Sequence, residues 1–217
     1  MKVLVSCGPG FEPLDEVRRL TNFSTGELGV TLSNHLAQAG FEVLCLKGSG
    51  ATHPDPVTAC ATLPFSTNDE LKEHLEQIAR TEDITALFHT AALCDFKVQR
   101  INDSSGNPVG SAKVSSRAGP LVLELVPATK VIGGLRHLFP RSLLVGWKFE
   151  LMGAPAEAVA RARNQIEENR LDACVLNGRA YGPGFGFCRA GGGLEHIATK
   201  IELARFLVNW LRGTATA

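Results

Sequence analysis

Short, unbroken apolar runs alternate along this chain with longer stretches whose apolar residues recur every third or fourth position. The runs at 2–6, 41–47, 84–90, 142–147 and 173–176 are too short for helices and predict buried strands. Between them, residues 26–39 set Leu28, Leu32 and Leu36 on one stripe and stop at Gly40, as a helix would. Residues 68–80 carry Leu71, Leu75, Ile78 and Ala79 on one side, and 155–169 turn Val159, Ala162 and Ile166 inward. The clearest helix is the last, where Leu203, Phe206, Leu207 and Trp210 follow i, i+3, i+4, i+7.

Strands that are apolar throughout, rather than at alternate positions, are buried on both faces. Alternating with helices, they predict an α/β, Rossmann-like fold, a mainly parallel sheet with helices on both faces. Ligands of such sheets sit beyond the carboxyl ends of the strands, so chemistry is expected just after Ser6, Thr90, Trp147 and Leu176. One region breaks the alternation: 97–126 holds turn-rich 102–106 and 110–113, then a β-like run at 121–126. A span of that length without a helix suits a functional flap or an interface arm. No internal repeat is visible, so the 217 residues read as a single domain, 1–217, with a flap at about 97–126.

Lys+Arg and Asp+Glu both number 22, which gives no bulk electrostatic case for nucleic acid or an anionic membrane surface. None of the six cysteines falls in a C-x-x-C pair, and most lie in apolar runs, the pattern of buried thiols. No stretch approaches the roughly 18 apolar residues of a membrane span. The Met-Lys start leads only into a short strand, unlike a signal peptide. A reducing, cytoplasmic setting is expected.

Gly8-Pro-Gly10 after the first strand invites a dinucleotide reading, but Pro13 stands at the third glycine position and no helix begins there. The second strand ends at Lys47, where a nicotinamide enzyme places an acid for the ribose. An NAD(P)-binding oxidoreductase is disfavoured on both counts. Ser24, Thr25 and Gly26 immediately precede a helix, whose unpaired N–H groups and positive dipole end suit a phosphate or carboxylate. A capped helix and an anion site both remain open from these residues alone.

The wider segment Asp15-x-Val17-Arg18-x-x-x-Asn22-x-Ser24-Thr25-Gly26-x-x-Gly29 resembles a signature of the phosphopantothenate–cysteine ligase family. Thr90-Ala-Ala-Leu-Cys-Asp95-Phe96, Lys113-Val-Ser-Ser, Leu123-Glu-Leu-Val126 and Val145-Gly-Trp-Lys-Phe-Glu150 are similar to its later segments. Leu171-Asp172 through Asn177, then Phe187 and Thr199-Lys200, resemble its tail; the match runs in order from Cys7 to about Ala204.

The resemblance implies an enzyme that uses CTP or ATP with Mg²⁺ to activate a carboxylate as an acyl-nucleotide, which cysteine then attacks. It implies that Asn22 orients the acyl group, assisted by Arg18 one helical turn earlier, while Ser24, Thr25 and Gly26 bind phosphopantothenate. Ala92 and Asp95 would line the nucleotide pocket with Gly8 and Gly10, and Trp147 would pack on the nucleoside. Lys113 on the flap would neutralise phosphate charge. A stand-alone ligase without flavin, paired as a homodimer through its flaps, is the expectation.

The match also departs. Ser115 and Ser116 replace flap lysines, Ala128-Thr-Lys130-Val replaces Asn-Pro-Asp-Ile, and Ala190-Gly-Gly-Gly193 replaces an acidic tail. Gln165 and Asn169 stand where bacterial relatives carry two nucleotide-binding lysines; amides read a base but offset no charge. These changes leave the nucleotide's identity open and keep a catalytically altered, nucleotide-binding paralogue as the alternative.

Overall fold

The computed structural model describes residues 1–56, 60–110, 112–115 and 119–215, and Ser116 of the flap lies outside them. Along the chain run β1 (Lys2–Cys7), β2 (Phe11–Pro13), β3 (Arg19–Thr21), α1 (Glu27–Gln38), β4 (Glu42–Gly48), β5 (Ala61–Phe65), α2 (Asn68–Thr81) and β6 (Ala86–His89). There follow β7 (Phe96–Asp103), β8 (Leu121–Pro127), α3 (Val131–Leu138), β9 (Leu143–Phe149), α4 (Pro155–Asn169), β10 (Ala173–Asn177), β11 (Phe185–Arg189), β12 (Leu194–Ile197) and α5 (Lys200–Ala215).

The main sheet has the order β12-β11-β10-β9-β6-β1-β4-β5. It is parallel from β10 to β5, and β11 and β12 extend it antiparallel. This is the expected Rossmann-like α/β architecture, with helices on both faces.

Alternate residues of each strand feed opposite faces. Leu4, Leu46, Leu87, Leu144 and Leu176 meet Leu71, Leu75, Leu135, Ala162 and Ile166 of α2, α3 and α4. On the other face Val3, Val5, Val43, Phe88, Val145 and Val175 meet Leu32, Leu36, Leu207 and Leu211 of α1 and α5. Burial on both sides is why the sequence of these strands does not alternate.

Elements outside the expectation have weak signals. The edge strand β5 contains Pro64, tolerated where one side of the ladder needs no N–H. Eight-residue α3 contains Gly133 and Gly134, poor helix formers.

The flap is a two-stranded antiparallel ribbon, β7 with β8, with a register shift between Val98 and Arg100. Phe96, Val122 and Leu125 are exposed on it. All six cysteines are free, and four are buried. Among the described residues no helix is long and apolar enough to cross a membrane.

Candidate functional site

A cavity of about 1170 Å³ opens at the carboxyl ends of β1, β6, β9 and β10, where such sheets bind ligands. It wraps the sheet edge, with one lobe at the start of α1 and another between α3 and α4. A shallower hollow of about 380 Å³, lined by Glu76, Ala79, Arg80, His137 and Leu138, touches none of these strand ends.

In the α1 lobe, Gly8 (φ 79°) and Gly26 (φ 81°) adopt the left-handed conformation that favours glycine. A Cβ on Gly26 would lie 3.4 Å from the Gly8 Cα and 3.1 Å from the Ala51 Cβ. Gly26 at the N-cap offers no capping side chain, so the first-turn N–H groups beyond that of Glu27 stay available at the cavity. Thr25 Oγ1 accepts the Glu27 N–H at 3.3 Å. Glu27 is paired with Lys200, whose ammonium holds the carboxyl below its usual range. The negative side chain nearest the helix start is therefore already countered.

Asn22 fastens this turn to the loop after β6. Its Nδ2 donates to the carbonyls of Ala92 (3.2 Å) and Leu93 (2.8 Å). The same loop is drawn against the end of β1 by Ala92 N–H to Gly8 O (2.9 Å) and Gly10 N–H to Ala92 O (3.0 Å).

In the second lobe, Gln165 Nε2 donates to Trp147 O (3.1 Å) and Asn169 Nδ2 to Gln165 O (2.8 Å). Asn68 donates to Cys94 O (2.7 Å) and Thr129 O (3.0 Å). The Trp147 ring itself packs on the other face of the sheet, against the α1/α5 core with Val145, and its Nε1 is sealed with no partner among the described residues. Lys148 (3.4 Å) and Arg161 (3.0 Å) flank Glu150. Lys130, Lys148, Arg161 and Lys200 line the cavity together with Glu27, Asp95 and Glu168. Among the described residues, all of these cations but Lys130 are paired with Glu27 or Glu150.

Gly8, Asn22, Ser24, Thr25, Gly26, Ala92, Asp95, Trp147, Gln165 and Asn169 thus line one cavity. Gly10, Arg18 and Lys113 do not. Gly10 stands behind the lining, its carbonyl taking the Thr21 hydroxyl at 2.9 Å. Arg18 is not a helical turn before Asn22, since the intervening residues form β3. Its guanidinium is engaged by Asp15 and by the Val114 carbonyl at 3.0 Å.

Lys113 is exposed, and its neighbours are fastened to the same turn by Val114 N–H to Asp15 Oδ2 (3.2 Å) and Glu16 N–H to Ala112 O (3.2 Å). Sequence reasoning gave no role to Lys148, Arg161, His89 and Asn68. Lys148 sits within β9, and only its place near the strand's carboxyl end could have marked it.

Asp15 is the clasp between the turn and the flap. The Arg18 guanidinium, with the N–H groups of Val17, Val114 and Arg18, holds its carboxyl well below the usual carboxylate range. A depressed folded-state value stabilises the clasp above the unfolded value of about 4. That contribution declines as pH falls from there through the folded value. Asp15→Asn is expected to raise the hydrogen-exchange rate of the Val114 amide at neutral pH. An unchanged rate would show that the carboxylate does not hold the flap.

Residues 1–195 match the family described as the DNA/pantothenate metabolism flavoprotein C-terminal domain. The chain is 31% identical over 177 residues to the coenzyme A biosynthesis bifunctional protein CoaBC of Thermococcus kodakarensis, covering 81% of this chain and 41% of that protein. It is 28% identical over 187 residues to a cysteine/cysteine sulfinic acid decarboxylase of an unknown prokaryotic organism, covering 85% of this chain and 48% of that one. It therefore spans less than half the length of these curated relatives. A DNA/pantothenate metabolism flavoprotein crystal structure from Streptococcus pneumoniae superposes with a TM-score of 0.87 at 24% identity, covering 99% of both chains. That likeness establishes the fold.

Proposed function

The chain belongs to the DNA/pantothenate metabolism flavoprotein C-terminal domain family, and from that premise we propose that it is a nucleotide-dependent ligase joining 4'-phosphopantothenate to cysteine in coenzyme A biosynthesis. The observation that carries this reading is the cavity itself. In about 1170 Å³ it combines the glycine N-cap of α1, the side chain of Lys130, unpaired among the described residues, and the ion-paired Lys148, Arg161 and Lys200 with an amide-bearing lobe.

A carboxylate is a poor acyl donor because oxide does not leave. One carboxylate oxygen attacks the α-phosphorus of the triphosphate and pyrophosphate departs. The cysteine amine then attacks the acyl carbon and nucleoside monophosphate departs, the amine proton passing to solvent. Ser24, Thr25 and Gly26 hold the phosphate of phosphopantothenate at the start of α1. Lys130, Lys148, Arg161 and Lys200 offset the triphosphate's charge, which is greatest as the α-phosphorus is attacked. Asn22, with its Nδ2 held by two carbonyls, keeps Oδ1 for the incoming amine and so orients attack on the acyl group.

Gln165 and Asn169 take the nucleoside of CTP or ATP, with Ala92 and Asp95 beside it; the Trp147 ring packs on the opposite face of the sheet and offers only its carbonyl to Gln165. Among the described residues no group of three metal-ligating side chains occurs, so Mg²⁺ would enter on the triphosphate and be held mainly by its oxygens. Lys113 serves phosphate charge only when its arm leaves the Asp15 turn or comes from a second copy. The exposed Phe96, Val122 and Leu125 on the ribbon support a homodimer.

The test is pyrophosphate release with phosphopantothenate, cysteine and either CTP or ATP. Release is expected only when phosphopantothenate and a nucleotide are both present. Silence with all four common nucleotides would remove the proposal. Nucleotide-independent carbon dioxide release from cysteine would instead favour the activity named for the decarboxylase relative.

A further inference from the structure

His89 ends β6 and lines the cavity, yet the ligase chemistry above gives it no task. Leu4 and Leu87 pack beneath α2, α3 and α4. Ser6 and His89, each two residues on, therefore point to that same side of the sheet. They are register partners, Ser6 opposite His89, and the Ser6 Oγ lies 2.6 Å from His89 Nδ1.

No other acceptor for the Ser6 hydroxyl is found among the described residues, so donation to Nδ1 satisfies both groups and leaves the ring proton on Nε2. Nε2 has no protein partner among the described residues. Nor is it one of the sealed, unpartnered polar atoms. It is therefore open to the cavity.

Burial pushes the imidazole down to about 4, so near neutrality it offers a directed N–H rather than a charge. Around it the lobe is rich in acceptors. Gln165 and Asn169 direct amide hydrogens to backbone carbonyls, which leaves their oxygens available to a ligand, whereas the Asn68 oxygen already accepts the Cys94 N–H. A base edge presents donors and acceptors side by side, and the lobe's acceptors need a donor to complement them.

We infer that His89 is a nucleoside-binding residue, its Nε2–H donating to an uncharged acceptor of the nucleotide base while Ser6 fixes the tautomer. This rests on the nucleotide-dependent reading of the cavity. The side chain touches substrate but takes no proton in the reaction.

Calorimetric titration of the full chain with Mg–CTP and with Mg–ATP tests it. The double variant Ser6→Ala/His89→Leu removes the pair without stranding the serine hydroxyl. It is expected to weaken nucleotide binding about tenfold, the scale of one hydrogen bond lost without compensation, with the KM for phosphopantothenate unchanged. His89→Gln, whose amide restores a donor, is expected to recover part of the loss. Equal nucleotide affinity in the double variant and the wild type overturns the inference.

Should the variant not fold, ¹⁵N spectra of the wild-type histidines decide the matter. A protonated Nε2 of His89 that shifts on nucleotide addition supports the inference, and one that stays put at saturation overturns it. Wild-type protein that binds nucleotide without ligating removes the ligase reading alone. Wild-type protein that binds neither nucleotide removes both.

Discussion

Asn22→Ala is expected to lower ligase turnover by about 10²–10³-fold, the range found when a preorganised polar group at a reacting centre is deleted. Asn22 is the side chain that joins the helix-start turn to the loop after β6, through bonds to the Ala92 and Leu93 carbonyls. On the proposed reading, truncation loses the group facing the acyl centre, and it loosens the register between the cavity's two walls. The loss should fall on kcat, because the start of α1 and the cations Lys130, Lys148, Arg161 and Lys200 remain to bind both anions. Steady-state kinetics alongside a thermal melt make the check. Wild-type kcat in a folded Asn22→Ala protein would remove Asn22 from the reaction.

The second large effect is on the scaffold. A Cβ at Gly29 would fall 2.2 Å from the Cys7 Cβ and 2.6 Å from the Thr90 Oγ1, so α1 rides directly on β1 and β6. Gly29→Ala must push the helix off the sheet, at a cost of about 1–3 kcal/mol for overpacking. Its N-terminus moves with it, so nucleotide-dependent turnover should fall together with stability. Gly134→Ala is the matched control: its Cβ meets nothing within 4 Å, and alanine in an open helical site is expected to be neutral or to add up to about 1 kcal/mol. Urea unfolding of both variants is the measurement. Equal stabilities would mean that α1 does not sit this close.

The strands and helices that were legible in the sequence owe it to burial. β1, β4, β6, β9 and β10 are buried on both faces, so each reads as an unbroken apolar run, and the helices between them carry one clean stripe. Where burial is one-sided the signal fades. β5 is an exposed edge with a proline, and β12 shows only Ile197 to the core. The ribbon β7–β8 was legible as a long span without a helix, but its pairing, with sparse burial on either strand, was not.

At the candidate site, the place of the cavity followed from topology, and most of the lining positions named followed from the family resemblance. Arg18 shows the limit. Its spacing from Asn22 suggests a shared task, but whether its guanidinium reaches a ligand or the Asp15 carboxylate depends on a turn that leaves no periodic trace. His89 was hidden for the converse reason. It ends an apolar run, and only the strand register beside Ser6 distinguishes a polar partner pair from a core histidine.

On the proposed reading the carboxylate is activated on phosphorus within this cavity. Phosphopantothenate labelled with ¹⁸O in its carboxylate, turned over with cysteine and either CTP or ATP, tests it by mass spectrometry of the nucleoside monophosphate. One labelled oxygen is expected in the monophosphate, carried there when the amine displaces it from the acyl carbon. Unlabelled monophosphate from a protein that nonetheless makes the amide would contradict the account.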